Sequence, residues 1–68
     1  MNASITANGK NFEFAGPGSL EQFLISQNLR PRSVVVELNG QAVAPSEFAT
    51  RQIQGGDRLE IVQIVAGG

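Results

Sequence analysis

Asn-Gly occurs twice in this chain, at Asn8-Gly9 and at Asn39-Gly40, each time between short runs of alternating apolar and polar residues. Both central positions of a type I′ turn need φ > 0, which asparagine and glycine adopt at little cost, so each dipeptide marks a two-residue hairpin. The first joins a strand over residues 4–7 to one over residues 10–14, with Ile5, Phe12 and Phe14 at period-two apolar positions. The second joins Val34-Val35-Val36-Glu37-Leu38 to a short strand from Gln41 to Ala44. Alternation in that β-branched run puts Val34, Val36 and Leu38 on one face.

Between the hairpins lies a segment of helical period. Gly16-Pro17-Gly18 interrupts the second strand, Ser19 is an expected N-cap, and Gln22 completes a capping-box pattern. Leu20, Phe23, Leu24 and Gln27 follow at i, i+3, i+4 and i+7, giving one stripe for core packing. The helix is expected to run to about Asn28, because Pro31 bars continuation. Further on, Pro45-Ser46-Glu47-Phe48 reads as a single helical turn, with Phe48 and Ile53 as core anchors. Gln54-Gly55-Gly56-Asp57 is a turn before a last apolar strand that begins at Arg58. The paired glycines do not read as a phosphate cradle, since no helix and no Lys-Ser/Thr follow them.

One helix must bury its stripe on one sheet, because nothing else in the chain can cover it. The sequence therefore predicts an α+β fold with a mixed four- to five-stranded sheet and one main helix on one face. The first and last strands are expected side by side and parallel at the sheet centre. That is the β-grasp, or ubiquitin-like, architecture. The expected division is a domain over residues 1–64 and a flexible tail over residues 65–68, Val65-Ala66-Gly67-Gly68.

Composition narrows the chemistry. Sixty-eight residues make one small domain, and the chain has no cysteine, no histidine, no tyrosine and no tryptophan. No thiolate nucleophile, disulfide or Cys-ligated metal site can be built, and the usual zinc ligand and usual general base near neutral pH are missing. No metal, no bound cofactor and no catalytic residue of its own are expected. Five Lys/Arg against six Asp/Glu, spread along the chain, give no basic cluster interleaved with aromatics, so nucleic acid is not an expected partner. The apolar runs are far too short for a membrane span, and no secretory leader pattern opens the chain. The expectation is a cytoplasmic protein, monomeric alone, that acts as a carrier, modifier or binding module.

Two features then point outward. Gly67-Gly68 ends the sequence in residues without a Cβ, so a carboxylate at Gly68 could enter a narrow site. In the last strand, Leu59 and Ile61 facing the helix send Glu60, Val62 and Ile64 to the opposite face. No second helix covers that face. Val62 and Ile64, with Val35 from the neighbouring strand and Glu37 and Glu60 beside them, are the expected partner-binding surface.

Val35-Val36-Glu37-Leu38-Asn39-Gly40, Gly56-Asp57-Arg58-Leu59-Glu60-Ile61-Val62 and the Gly67-Gly68 end closely resemble the ThiS family of thiamine-pathway sulfur carriers. The likeness extends over essentially the whole chain in length and element order. It implies that a ThiF-like adenylyltransferase uses ATP to adenylate Gly68. A persulfide sulfur donor then converts Gly68 to a thiocarboxylate, which delivers sulfur to a ThiG-like thiazole synthase. In that scheme Val65, Ala66 and Gly67 are the linker, and the carrier is a co-substrate rather than an enzyme. Two other readings share the terminal chemistry: a molybdopterin-pathway carrier (MoaD-like) and a ubiquitin-like protein modifier. A third is a β-grasp interaction module whose terminal glycines are incidental.

Overall fold

The computed structural model describes residues 3–14 and 18–64. Seven strands and one α-helix follow in the order β1 (Ala3–Ala7), β2 (Lys10–Phe14), β3 (Gly18–Ser19), α1 (Leu20–Ser26), β4 (Val34–Leu38), β5 (Gln41–Val43), β6 (Gln52–Ile53) and β7 (Arg58–Gln63). Single 3₁₀ turns over Pro31–Ser33 and Pro45–Glu47 begin on the prolines that the sequence places there.

Five strands form one mixed sheet in the order β2-β1-β7-β4-β5. Both hairpins turn on residues with positive φ: Asn8 at 53° with Gly9 at 81°, and Asn39 at 51° with Gly40 at 86°. The turns set the registers Ala7↔Lys10 and Leu38↔Gln41. β7 enters between the hairpins, parallel to β1 and antiparallel to β4, as the β-grasp arrangement requires. Its burial alternates with the pleat, Leu59 and Ile61 inside and Arg58, Glu60 and Val62 outside.

The core lies between this sheet and α1. Ile5, Val34, Val36, Val43 and Leu59 from the strands meet Leu20, Phe23 and Leu24 from the helix, with Phe48 and Ile53 filling the end of the layer. Phe12 packs edge-to-face on Phe23, ring centroids 5.6 Å apart, and seals the β2 side.

A helix of seven residues is marginal by itself, and both of its ends are held from outside. Ser19 Oγ accepts from the Gln22 amide while the Gln22 side chain accepts from the Ser19 amide, the reciprocal box expected from the sequence. The amides of Leu20 and Glu21 donate to the carbonyls of Arg51 and Phe48. A two-stranded ladder of β3 with β6, Gly18↔Ile53 and Ser19↔Gln52, fixes that junction. This ladder is not legible in the sequence, because a two-residue strand has no measurable period.

The helix stops at Ser26, short of the expected Asn28, and Gln27 is an exposed C-cap rather than part of the buried stripe. Asn28 turns left-handed (φ 61°), its amide donates to Ile25 and the Leu29 amide donates to Leu24. That Schellman closure satisfies the last carbonyls and turns Leu29 back onto the core. The asparagine stops the helix before the proline can.

The Gly16-Pro17 interruption and the tail Val65-Ala66-Gly67-Gly68 lie outside the described residues.

Candidate functional site: the uncovered sheet face

β4 and β7 pair antiparallel with Val35 directly opposite Val62 and Glu37 directly opposite Glu60. The same pleat that buries Val34, Val36, Leu59 and Ile61 drives all four of these side chains to the face without a helix. Val35 is 51% exposed, Val62 64% and Ile64 52%, and both glutamates are exposed. The five residues expected to form a partner-binding face thus fall together at the sheet centre and the exit of β7. Ala42 joins them on β5, opposite Glu37. It can be placed from the sequence only by counting back from the two-residue Asn39-Gly40 turn.

The apolar character of this face is one-sided. On β1 and β2 the corresponding positions are Ser4, Thr6, Asn11 and Glu13. The surface suited to exclude water is therefore the β5-β4-β7 half, with its carboxylates level with the middle of β7. Ile64, the last described residue, is still attached, its amide donating to the Ser33 carbonyl at 2.7 Å. That bond carries the outward-facing alternation to the point where residues 65–68 begin.

β7 is locked in place by the asparagines of both turns. Asn8 Oδ1 accepts from the Ile61 amide at 2.8 Å, and its Nδ2 donates to the Ile61 carbonyl at 2.9 Å. Asn39 Oδ1 accepts from the Arg58 amide at 2.9 Å, while its Nδ2 donates to Asp57 Oδ1 at 3.0 Å. Sequence reading assigns these residues only to turns. A fixed β7 gives the exposed face a rigid spine.

Exposed Ile25 on α1 is a further residue outside the sequence expectations, at 57%. It borders a shallow groove of about 890 Å³ with Arg30, Arg32, Ser46 and Ala49. A smaller groove of about 400 Å³ lies beside the Phe12–Phe23 pair, with Lys10, Gln27 and Gln63 at its rim. Among the described residues no group of three His, Cys, Asp or Glu could hold a metal ion, and no helix is long and apolar enough to cross a membrane. The face offers an apolar patch flanked by two carboxylates.

Sheet order, the single helix and the half-apolar open face define a small ubiquitin-like β-grasp protein. A family model described as the ThiS family matches residues 5–68. The chain belongs to the ThiS family. The crystal structure of thiamine biosynthesis protein ThiS from Geobacter metallireducens superposes with a TM-score of 0.79 at 28% identity, covering 100% of both chains. An uncharacterized protein, ycf40, of Pyropia yezoensis is 34% identical over 67 residues, which are 98% of this chain and 94% of that protein. A thiazole synthase of Paramagnetospirillum magneticum is 33% identical over 64 residues. The match takes in 94% of this chain but only 20% of that protein.

Proposed function

We propose that this protein is a sulfur carrier in thiamine biosynthesis, a co-substrate rather than an enzyme, and that its reactive group is the carboxylate of Gly68. Family membership across residues 5–68 carries the reading. The absence of cysteine and histidine agrees with chemistry performed by partners.

A carboxylate is a poor electrophile at neutral pH. In the proposed cycle a Gly68 carboxylate oxygen attacks the α-phosphorus of ATP on a ThiF-like adenylyltransferase, and pyrophosphate leaves. The outer sulfur of a protein persulfide then attacks the acyl carbon and AMP departs. A second thiolate then attacks the donor protein's sulfur in this acyl disulfide, forming a disulfide with it and breaking the original S–S bond, which leaves a thiocarboxylate at Gly68. Transfer of that sulfur on a ThiG-like thiazole synthase, with an oxygen from water or from the acceptor replacing it on the acyl carbon, returns the carboxylate. A thiazole synthase that contains a segment 33% identical to this chain supports that choice of acceptor, since a segment like this chain then lies in the same polypeptide as a thiazole synthase.

In this reading Val65, Ala66 and Gly67 form the linker that reaches the adenylating site, and Val35, Glu37, Glu60, Val62 and Ile64 form the docking face. Ordering residues 65–68 costs about 1–2 kcal/mol per residue, roughly 4–8 kcal/mol together. Covering the exposed parts of Val35, Val62 and Ile64 contributes about 1–2 kcal/mol each. The apolar patch offsets most of the ordering cost and leaves net affinity to polar contacts. The deciding experiment is intact mass after incubation with ATP, the adenylating enzyme and a persulfide source. Replacement of one oxygen by sulfur, localised to Gly68 by fragmentation, is expected; an unmodified Gly68 with the enzymes active on a control carrier would rule the reading out.

A further inference from the structure

Glu37 and Glu60 face each other across the β4–β7 ladder, both exposed. Directly opposed side chains in an antiparallel pair stand with their Cβ atoms about 4.5–5.5 Å apart, and like charges in that relation destabilise the sheet. Apolar neighbours on one side sharpen the effect: Val35 and Val62 form the adjacent rung. On the other side Arg58 is next along the same face of β7, but its rung is shared with Thr6 of β1. Glu13 is on β2, beyond β1, and adds negative rather than positive charge to the face. Among the described residues one cation, Arg58, therefore lies beside two carboxylates on this half of the face, and the rung itself pairs glutamate with glutamate.

Resting on the carrier reading above, we propose that the Glu37–Glu60 rung is the specificity element of the docking face. Its partner is a cationic side chain of the adenylating enzyme, seated across both carboxylates beside the Val35–Val62 contact. A guanidinium suits the place best, since its planar fork can donate to two carboxylates at once. The free carrier holds the two negative charges at close range; the complex relieves them. Repulsion in the free protein and attraction in the complex act together, so the rung favours association from both directions. It also rejects acidic surfaces that would accept the valines alone.

The two halves of the proposal predict opposite shifts from one substitution. E37Q and E60Q each remove the repulsion, and each is expected to raise the melting temperature of the free carrier by about 2–5 °C. The same variants are expected to weaken binding to the purified adenylating enzyme of the same genome about tenfold in Kd, with E37K weaker still. Raising the salt concentration should weaken the wild-type complex steeply and the E37Q/E60Q complex little. A side chain that merely supported the fold would lower stability and affinity together. Affinity within twofold of wild type in E37Q and E60Q, or melting temperatures that do not rise, would overturn the proposal. Adenylation of the wild-type carrier, followed by ATP–pyrophosphate exchange in the same samples, separates the two readings. Exchange with unaltered variant affinities sinks the charge rung alone; no exchange with wild type sinks the carrier reading and the rung with it.

Discussion

The side-chain amide of Asn8 closes two hydrogen bonds on the backbone of Ile61, accepting from its amide and donating to its carbonyl. The Asn8 backbone amide still donates to the Leu59 carbonyl, so the residue ends the β1–β7 ladder with its main chain and extends it with its side chain. Oδ1 and Nδ2 take the places that the carbonyl and the next ladder amide of a continuing parallel strand would occupy. The main chain is thereby free to enter the left-handed turn while β7 keeps its partner.

Replacing Asn8 tests that arrangement. Asn8→Gly retains the positive φ but removes both bonds, and is expected to cost about 1–3 kcal/mol. Asn8→Ala adds the left-handed penalty of about 1–2 kcal/mol. Urea unfolding of both variants measures the two contributions separately; an Asn8→Gly midpoint equal to wild type would show that the amide bonds contribute nothing.

Phe48 is 1% exposed, and its carbonyl accepts the Glu21 amide at the start of α1. Phe48→Ala is expected to lose about 3–5 kcal/mol, most of the stability of a domain this small. Thermal unfolding followed by circular dichroism should show the cooperative transition collapsing, whereas Phe48→Leu should keep it.

The reciprocal cap of Ser19 and Gln22 serves a helix with little length to spare. Ser19→Ala is expected to cost about 1 kcal/mol, at the upper part of the usual range if the β3–β6 ladder loosens with it. Hydrogen exchange at Gln22 is the local readout, and unchanged protection there would assign the helix start to the Arg51 and Phe48 carbonyls alone.

Val62→Asp places a third carboxylate on the β5-β4-β7 half of the open face, at a position 64% exposed. Its effect on stability is expected to stay within about 1 kcal/mol, while affinity for the adenylating enzyme falls by about tenfold or more. Calorimetric titration decides, and an unaltered Kd would remove Val62 from the contact.

Gly67→Val is expected to leave the melting temperature at the wild-type value and to abolish adenylation, because a branched side chain would obstruct a narrow channel. Pyrophosphate exchange at the wild-type rate would show that the tail does not thread one.

Much of the architecture can be read before any coordinates. The Asn-Gly pairs give both hairpins and their registers, alternation gives the buried and exposed sets of β4 and β7, and Ser19 with Gln22 gives the helix start. These are local matters, governed by the conformational preferences of a few adjacent residues. The helix end was harder, because Asn28 and Pro31 both offer a stop and the nearer one acts. The β3–β6 ladder, and the reach of Asn8 and Asn39 onto β7, join residues far apart in the chain. Turn chemistry explains why those residues are asparagines without showing what their amides touch.

The open face divides the same way. Which side chains point outward from β4 and from β7 follows from the pleat of each strand alone. That Val35 lies against Val62, and Glu37 against Glu60, depends on how far β7 slides along β4, and no short turn connects those strands. The core decides that register, by setting Val36 level with Ile61 and Leu38 level with Leu59 under the helix. Sequence determined the faces; only tertiary packing could place the two carboxylates on one rung.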